Sequence, residues 1–230
     1  MYTEFPNDLI KNDKYTYNGI SVPRVTDVIS SMIYEESLLR WANHLGFNRL
    51  HYTKVRDEAA NLGSKTHERI EAIVNGASYR YEDEIIPVQS FLKWYEIVKN
   101  NTKFEVIYTE KTLVCPLFGG TLDCLAKINN AIYLIDYKTS SIVTYKYFLQ
   151  LAAYRQMLRE LEGIVVDGVI ILHLDKKEPS FEEYVMNLPQ YQQVLDHYEM
   201  TFNALVQAYI NILVCKQDYQ KFLQERMKDK

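Results

Sequence analysis

Cysteine is scarce in this chain of 230 residues, which contains only three. Cys115, Cys124 and Cys215 are scattered along the sequence, and no two of them form a C-x-x-C pair. Structural zinc sites and iron–sulfur clusters are usually held by four ligands, which three scattered cysteines cannot supply. The sequence therefore predicts buried free thiols rather than a metal–thiolate site.

Long apolar runs are also absent, since none approaches the roughly 20 residues that a membrane-spanning helix needs. Residues 1–20 mix acidic and basic side chains, such as Glu4 and Lys14, and lack the apolar core of a signal peptide. Hydrophobic residues make up 47% of the chain and charged residues 24%, as is typical of a soluble globular protein. We therefore expect an intracellular, cytoplasmic protein without a membrane partner.

Excess positive charge is lacking overall, because the net charge is −4. This counts against a protein that coats nucleic acid along its whole surface, but it does not exclude one that binds phosphates locally. Acidic residues are absent from one stretch, residues 137–159, which carries four cations: Lys138, Lys146, Arg155 and Arg159. The sequence thus concentrates positive charge in one segment.

The pattern of apolar residues predicts an α/β fold with a mixed sheet and helices on both faces. The length favours one domain, with a helical portion at about 24–100, a sheet core at about 104–188 and a C-terminal helix at about 190–225. Gly63 and Ser64 predict a break in a helix over 51–75, and Thr26 predicts a helix N-cap. Apolar residues from Leu195 onward step by three and four, which favours a helix on the sheet over a coiled-coil seam.

Two strands joined at Asn129–Asn130 carry the most informative residues, because Asn tolerates the positive φ of tight turns. In a two-residue or centred four-residue loop Ile128 faces Ala131, and the same register places Asp123 opposite Asp136. Lys138 projects from the same face as Asp136 because side chains alternate along a strand. Two adjacent carboxylates repel each other, so a cation is expected between them.

The chemistry that suits this arrangement is phosphoryl transfer. Carboxylate oxygens are the ligands that magnesium or manganese prefers, and such a metal also binds substrate phosphate. It polarises a phosphoryl oxygen and activates a water for in-line attack, which a lysine can assist. The alternative is a surface cluster that only keeps the hairpin soluble. Apolar residues around Asp136 indicate an interior strand and favour a site.

Other residues could complete the site. His67 and Glu71 lie at i and i+4 of a helix, where they could add a metal ligand and an acid, although a structural role is equally open. Gln150 and Tyr154 are likewise one turn apart and could point at the hairpin. Glu110 shares a face with Asp123 only if the turn at 115–119 pairs residues whose numbers add up to an odd number. Four cations could contact phosphate: Lys65, Arg69, Lys146 and Arg155.

Taken together these motifs resemble the PD-(D/E)XK nuclease superfamily, particularly its RecB-like exonuclease branch with single-domain phage and mitochondrial members. Four segments carry the resemblance in order: 63–71 with its histidine, Gly-Thr-Leu-Asp at 120–123, Asp-Tyr-Lys-Thr at 136–139, and Gln-Leu-Ala-Ala-Tyr at 150–154. The resemblance implies a restriction-endonuclease-like α/β core, a central mixed sheet flanked by helices. Several relatives carry a four-cysteine iron–sulfur cluster, which this chain is expected to lack.

The resemblance also implies roles for single residues. His67, Asp123, Asp136 and the Tyr137 carbonyl would ligate the metal, Lys138 would be the catalytic lysine, and Gln150 and Tyr154 would support the site and contact DNA. The expected activity is that of a Mg²⁺- or Mn²⁺-dependent DNA exonuclease, and DNA with single-stranded ends is one form of its expected partner. The alternatives are an endonuclease, a catalytically silent DNA-binding module and a small-substrate phosphatase. A homo-oligomer or a recombination or replication partner protein remains open.

Overall fold

The computed structural model describes residues 1–7, 9–10 and 14–228. The strands in this part of the chain are β1 (Thr16–Tyr17), β2 (Ile20–Ser21), β3 (Phe104–Val114), β4 (Gly119–Ile128), β5 (Ala131–Lys138), β6 (Gly168–Leu174) and β7 (Phe181–Asn187). The α-helices are α1 (Val25–Met32), α2 (Glu36–Phe47), α3 (Tyr52–Val74), α4 (Ile86–Asn101), α5 (Tyr145–Leu161) and α6 (Gln192–Lys228). A short 3₁₀ turn, Tyr81–Asp83, precedes α4.

The central sheet has five strands in the order β3-β4-β5-β6-β7. Neighbouring strands are antiparallel except β5 and β6, which are parallel because α5 carries the chain back across the sheet between them. Alternate residues of the strands enter two separate apolar clusters. One cluster contains residues of α1, α5 and α6, and the other contains residues of α3 and α4. The prediction of a mixed sheet flanked by helices is therefore confirmed.

The β4–β5 hairpin has the predicted two-residue turn, with Asn129 at a φ of 56°. Ile128 faces Ala131, and the ladder continues to the pair Cys124–Ile135. It ends there, one position short of the two aspartates, while Asp136 pairs with Ile171 of β6 instead. Asp123 and Asp136 are thus neighbours at a point where β4 and β5 separate, rather than a hydrogen-bonded pair.

Two predictions about helix boundaries are wrong. Helix α3 runs without a break through Gly63, which lies against β5's end: a Cβ on this glycine would be 3.6 Å from Thr139 Oγ1. Helix α1 begins at Val25, so Thr26 lies inside it rather than at its N-cap. The chain before α1 is held by the backbone of Gly119, whose N–H donates to the Pro23 carbonyl at 2.9 Å. Tertiary contacts, not local capping signals, determine both features.

Helix α6 packs mainly on α5 and α1. The prediction that it lies on the sheet is wrong, because α5 and α1 already cover that face. Phe202 of α6 is fully buried and meets the Phe118 ring edge-on at 4.9 Å. Within the described ranges of the chain, no helix is long and apolar enough to cross a membrane.

Candidate active site

The candidate site lies where β4 and β5 separate. The gap between them accommodates the Asp123 side chain, whose Oδ2 accepts the Tyr137 N–H at 2.8 Å. Asp136 follows the last hydrogen-bonded pair of the hairpin and is only 1% exposed, because β6 and the surrounding core cover it. The strand geometry thus brings two carboxylates together in a region that water barely reaches.

Lys138 lies beside the buried carboxylate of Asp136. Its Nζ is 2.7 Å from Asp136 Oδ2 and donates a hydrogen bond of 3.2 Å to Gln150 Oε1. Gln150 in turn donates to the Tyr154 hydroxyl at 3.3 Å, so α5 holds the lysine through two side chains one turn apart. Apart from the ion pair with Lys138, neither Asp136 oxygen has a hydrogen-bond partner among the described residues.

His67 reaches the same place from α3. Its Nδ1 lies 3.4 Å from Asp123 Oδ1, and its Nε2 lies 3.0 Å from the Tyr137 carbonyl oxygen. The predicted meeting of this helix with the hairpin is therefore present in the structure. Glu71, one turn further along α3, lines the adjoining cleft of about 390 Å³ together with Gly63, Ser64 and Glu110.

Glu110 belongs to this group because the numbers of paired residues on β3 and β4 add up to an odd number. Thr109 faces Cys124 and Lys111 faces Leu122, which places Glu110 opposite Asp123. Its carboxylate is 3.9 Å from His67 Nδ1. Glu110 has a φ of 46°, a left-handed conformation that is rare for residues other than glycine and that clusters at functional sites.

Electrostatics make this group of residues receptive to a cation. Burial raises the pKa of Asp136 to about 6, despite the opposing charge of Lys138. Burial and the Asp123 charge raise the pKa of Glu110 to about 7. Burial alone would lower the pKa of His67, but the Asp123 carboxylate outweighs it and raises this pKa to about 9. The charge of Asp123 also raises the pKa of all three neighbours, so a cation placed among these carboxylates is favoured electrostatically.

The donor set fits a divalent metal. His67, Glu110 and Asp123 each offer a ligand atom, and these atoms lie within 4.8 Å of one another. Carboxylate and carbonyl oxygens suit Mg²⁺, and an imidazole is tolerated by Mn²⁺ and similar ions. The Asp136 oxygens are buried beside this group and, apart from the ion pair with Lys138, have no hydrogen-bond partner among the described residues, as expected of oxygens that complete a coordination shell.

A sequence model of the PD-(D/E)XK nuclease superfamily matches residues 44–217, which include every site residue described above. The chain belongs to this superfamily. Its membership agrees with the mixed sheet and with the Asp, Asp-x-Lys order on β4 and β5. Members use divalent metals, which accords with the donor set. The RecB-like branch stays a prediction.

The solved structures that resemble this nuclease include two that share little sequence with it. The crystal structure of SSO0001 shares 15% identity with a TM-score of 0.39, and the likeness covers 85% of this chain and 78% of that one. An alkaline exonuclease (LHK-Exo) from Laribacter hongkongensis shares 12% identity with a TM-score of 0.30 over 58% of this chain and 72% of that one. No match was found among curated proteins.

The cations of this nuclease that were predicted to contact DNA are mostly engaged elsewhere. Arg155 is buried, and its Nη1 lies 3.1 Å from Asp196 and 3.3 Å from Glu199 on α6. These ion pairs join α5 to α6, so contact with phosphate would require breaking them. The acid-free stretch in the sequence gave no sign of this, because its partners come from another helix.

Three more predicted cations differ in their availability. Arg69 donates to the Glu84 carboxylate and to the Ser78 carbonyl. Lys146 lies 3.0 Å from Glu35 and donates to a backbone carbonyl before α2. Lys65, by contrast, is exposed on α3. Their DNA contacts stay predictions, which the positions of Arg69 and Lys146 do not favour.

The sequence carries no sign of the contacts that the N-terminal segment and the glycine pair before Asp123 make. A Cβ on Gly119 would lie 2.9 Å from the Tyr15 ring, and one on Gly120 would overlap the Tyr154 ring. Tyrosine side chains therefore occupy the space that the glycines leave. The Tyr15 hydroxyl also contacts Thr121 at 3.0 Å, a long-range contact without any signal in the local sequence.

Proposed function

We propose that this nuclease is a divalent-metal-dependent DNA exonuclease that hydrolyses phosphodiester bonds. The observation that carries the proposal is the buried pair of aspartates at the β4–β5 separation, with Lys138 on one side and His67 on the other. A buried arrangement of this kind costs stability in the absence of a cation, and it is therefore expected to serve a function.

Asp123, Asp136, His67 and the Tyr137 carbonyl would hold the metal, and Glu110 lies close enough to add a further ligand. When bound, the metal would polarise a phosphoryl oxygen and lower the pKa of a nearby water. Lys138 presents its ammonium at the same place and would stabilise the negative charge that grows on the phosphate oxygens. Gln150 and Tyr154 would keep that ammonium in position. The part of the chain that the structure describes would form a single nuclease domain.

The experiment that tests this proposal is cleavage of end-labelled linear DNA with Mg²⁺ or Mn²⁺. Lys138→Ala and Asp123→Asn should each lower the rate by about 10²-fold or more, since each removes charge stabilisation or metal binding at the reacting phosphate. Lys93→Ala is the matched control, because this exposed lysine on α4 donates to the Pro179 carbonyl at 2.7 Å and lies outside the site. Undiminished cleavage by the site variants would refute the proposal.

Substrate topology separates an exonuclease from its rivals. An exonuclease should release mononucleotides or short products from linear ends and leave closed circular DNA intact. Cleavage of the circle would identify an endonuclease with the same site. DNA binding without cleavage, and without heat of metal binding in calorimetry, would identify a silent binding module.

A further inference from the structure

An open groove of about 430 Å³ adjoins the first turn of α5. We call it the α2 groove and define it by Tyr34, Leu38, Leu39, Tyr52 and Lys146. Its size falls within the usual range for small-molecule sites. Its rim is exposed although it is apolar: Tyr34 is 74% exposed, Leu39 62% and Leu38 46%. Clustered exposed side chains of this kind mark a binding surface.

Helix α5 links the α2 groove to the candidate active site. Lys146 on its floor and Gln150, which holds Lys138, are four residues apart on one helix face. Side chains at this spacing stand one above the other, about 6 Å apart along the helix axis. The groove therefore lies about one turn of α5 from the residue that holds Lys138.

The chemistry of the groove suits bases rather than phosphates. The Lys146 ammonium is neutralised by Glu35 at 3.0 Å and donates to the Ile33 carbonyl, so the floor offers little net charge to a phosphate. The exposed ring of Tyr34 and two leucines provide flat and apolar surface. The Tyr52 ring, by contrast, packs against Trp41 and lies under the Arg56 guanidinium. Aromatic side chains stack on bases of any sequence because every base has a π-face.

We propose that the α2 groove binds the unpaired bases of a single-stranded DNA end while its scissile phosphate lies at Lys138. This inference rests on the proposed nuclease function and names the form of DNA that the enzyme prefers. Bases within a blunt duplex are already stacked and paired, so only a single-stranded segment can place them in the groove.

Fluorescence anisotropy in EDTA, where metal-dependent cleavage is prevented, tests the inference. The probes are a labelled duplex with a single-stranded thymidine overhang and a blunt duplex of the same length, and the readout is the ratio of their affinities. Tyr34→Ala should lower the affinity for the overhang by roughly 5- to 150-fold and bring the ratio towards one. Tyr34→Phe keeps the ring and should keep the ratio. Tyr219→Ala is the matched control, since this tyrosine of α6 is 58% exposed and distant in sequence from the groove.

The inference is overturned if Tyr34→Ala and the Tyr219→Ala control give the same ratio as the unaltered protein. It is also overturned if Tyr34→Ala changes only the mass measured by sedimentation, which would assign the groove to a second copy of the chain. Cleavage of labelled DNA with Mg²⁺ is measured separately. If the unaltered protein cleaves DNA normally but Tyr34→Ala leaves the affinity ratio unchanged, only the role of the groove is refuted. If the unaltered protein neither cleaves nor binds DNA, the proposed function is refuted.

Discussion

Replacing Asp136 by asparagine should stabilise the metal-free protein while it abolishes nuclease activity. The Asp136 carboxylate is 1% exposed, and burial raises its pKa from 3.8 to about 6 even though Lys138 lies beside it. An ionised carboxylate at this position therefore costs free energy that a neutral amide of the same shape does not. In the functional protein a bound cation would offset this cost.

The magnitude follows from the shift in pKa. A difference of about two pH units between the folded and unfolded pKa of Asp136 corresponds to about 3 kcal/mol. Below pH 4 the group is protonated in both states, and its ionisation costs nothing. Between pH 4 and pH 6 the unfolded chain loses its proton first, so the free energy of unfolding falls as the pH rises. Above about pH 6 the full cost is present, and the Asp136→Asn variant should be more stable by up to about 3 kcal/mol.

Urea unfolding in EDTA at pH 4.5 and pH 8 measures the effect. The variant should gain about 3 kcal/mol at pH 8 but only about 1 kcal/mol at pH 4.5, and Mg²⁺ should stabilise the unaltered protein more than the variant. Asp57→Asn is the matched control, because this carboxylate is largely exposed beside Arg56 and should change stability by less than about 0.5 kcal/mol. A loss of stability at pH 8, or a gain that is independent of pH, would refute the reasoning.

Three further outcomes are expected. Gly120→Ala should destabilise the protein by about 1–3 kcal/mol and slow cleavage, because the new Cβ would force the Tyr154 ring away from Gln150. Thermal unfolding and the cleavage rate measure the two effects, and an unchanged stability would contradict the contact. Arg155→Ala should lower the free energy of unfolding by about 2 kcal/mol, because it removes the ion pairs between α5 and α6, and this loss should exceed that of Arg159→Ala. A loss of DNA affinity without a loss of stability would instead support the DNA contact that the sequence predicts for Arg155. Metal affinity measured by calorimetry should rise from pH 7 to pH 9, because the metal must displace a proton from His67, whose pKa is about 9. The metal affinity of the His67→Gln variant should depend less on pH.

Much of the fold follows from local sequence patterns. Ile128 faces Ala131 as the hairpin register predicts, and Asn129 forms the tight turn expected of it. These features depend on residues close together in the chain, whose φ preferences and apolar spacing act locally. The same argument predicted the neighbouring positions of Asp123 and Asp136.

Features that depend on distant residues could not be predicted. Gly63 suggested a break in α3 because glycine disfavours helices. The helix continues through it instead, and the missing side chain allows Thr139 to pack close to the helix. Glu110 joins the site only because the β3–β4 turn gives an odd register, which the residues at 115–119 do not specify. Arg155 looked available for DNA until α6 brought two carboxylates beside it.

By itself, the sequence determined the order of the elements, the hairpin register and the chemical type of the site: two aspartates and a lysine on adjacent strands, with a histidine helix upstream. Periodicity and turn chemistry are properties of short segments, so they can be read from the chain alone. Only the tertiary structure decided which charges remain available. Ion pairs and steric contacts between segments far apart in sequence neutralise Arg155 and Lys146, place Glu110 beside Asp123 and leave the α2 groove open.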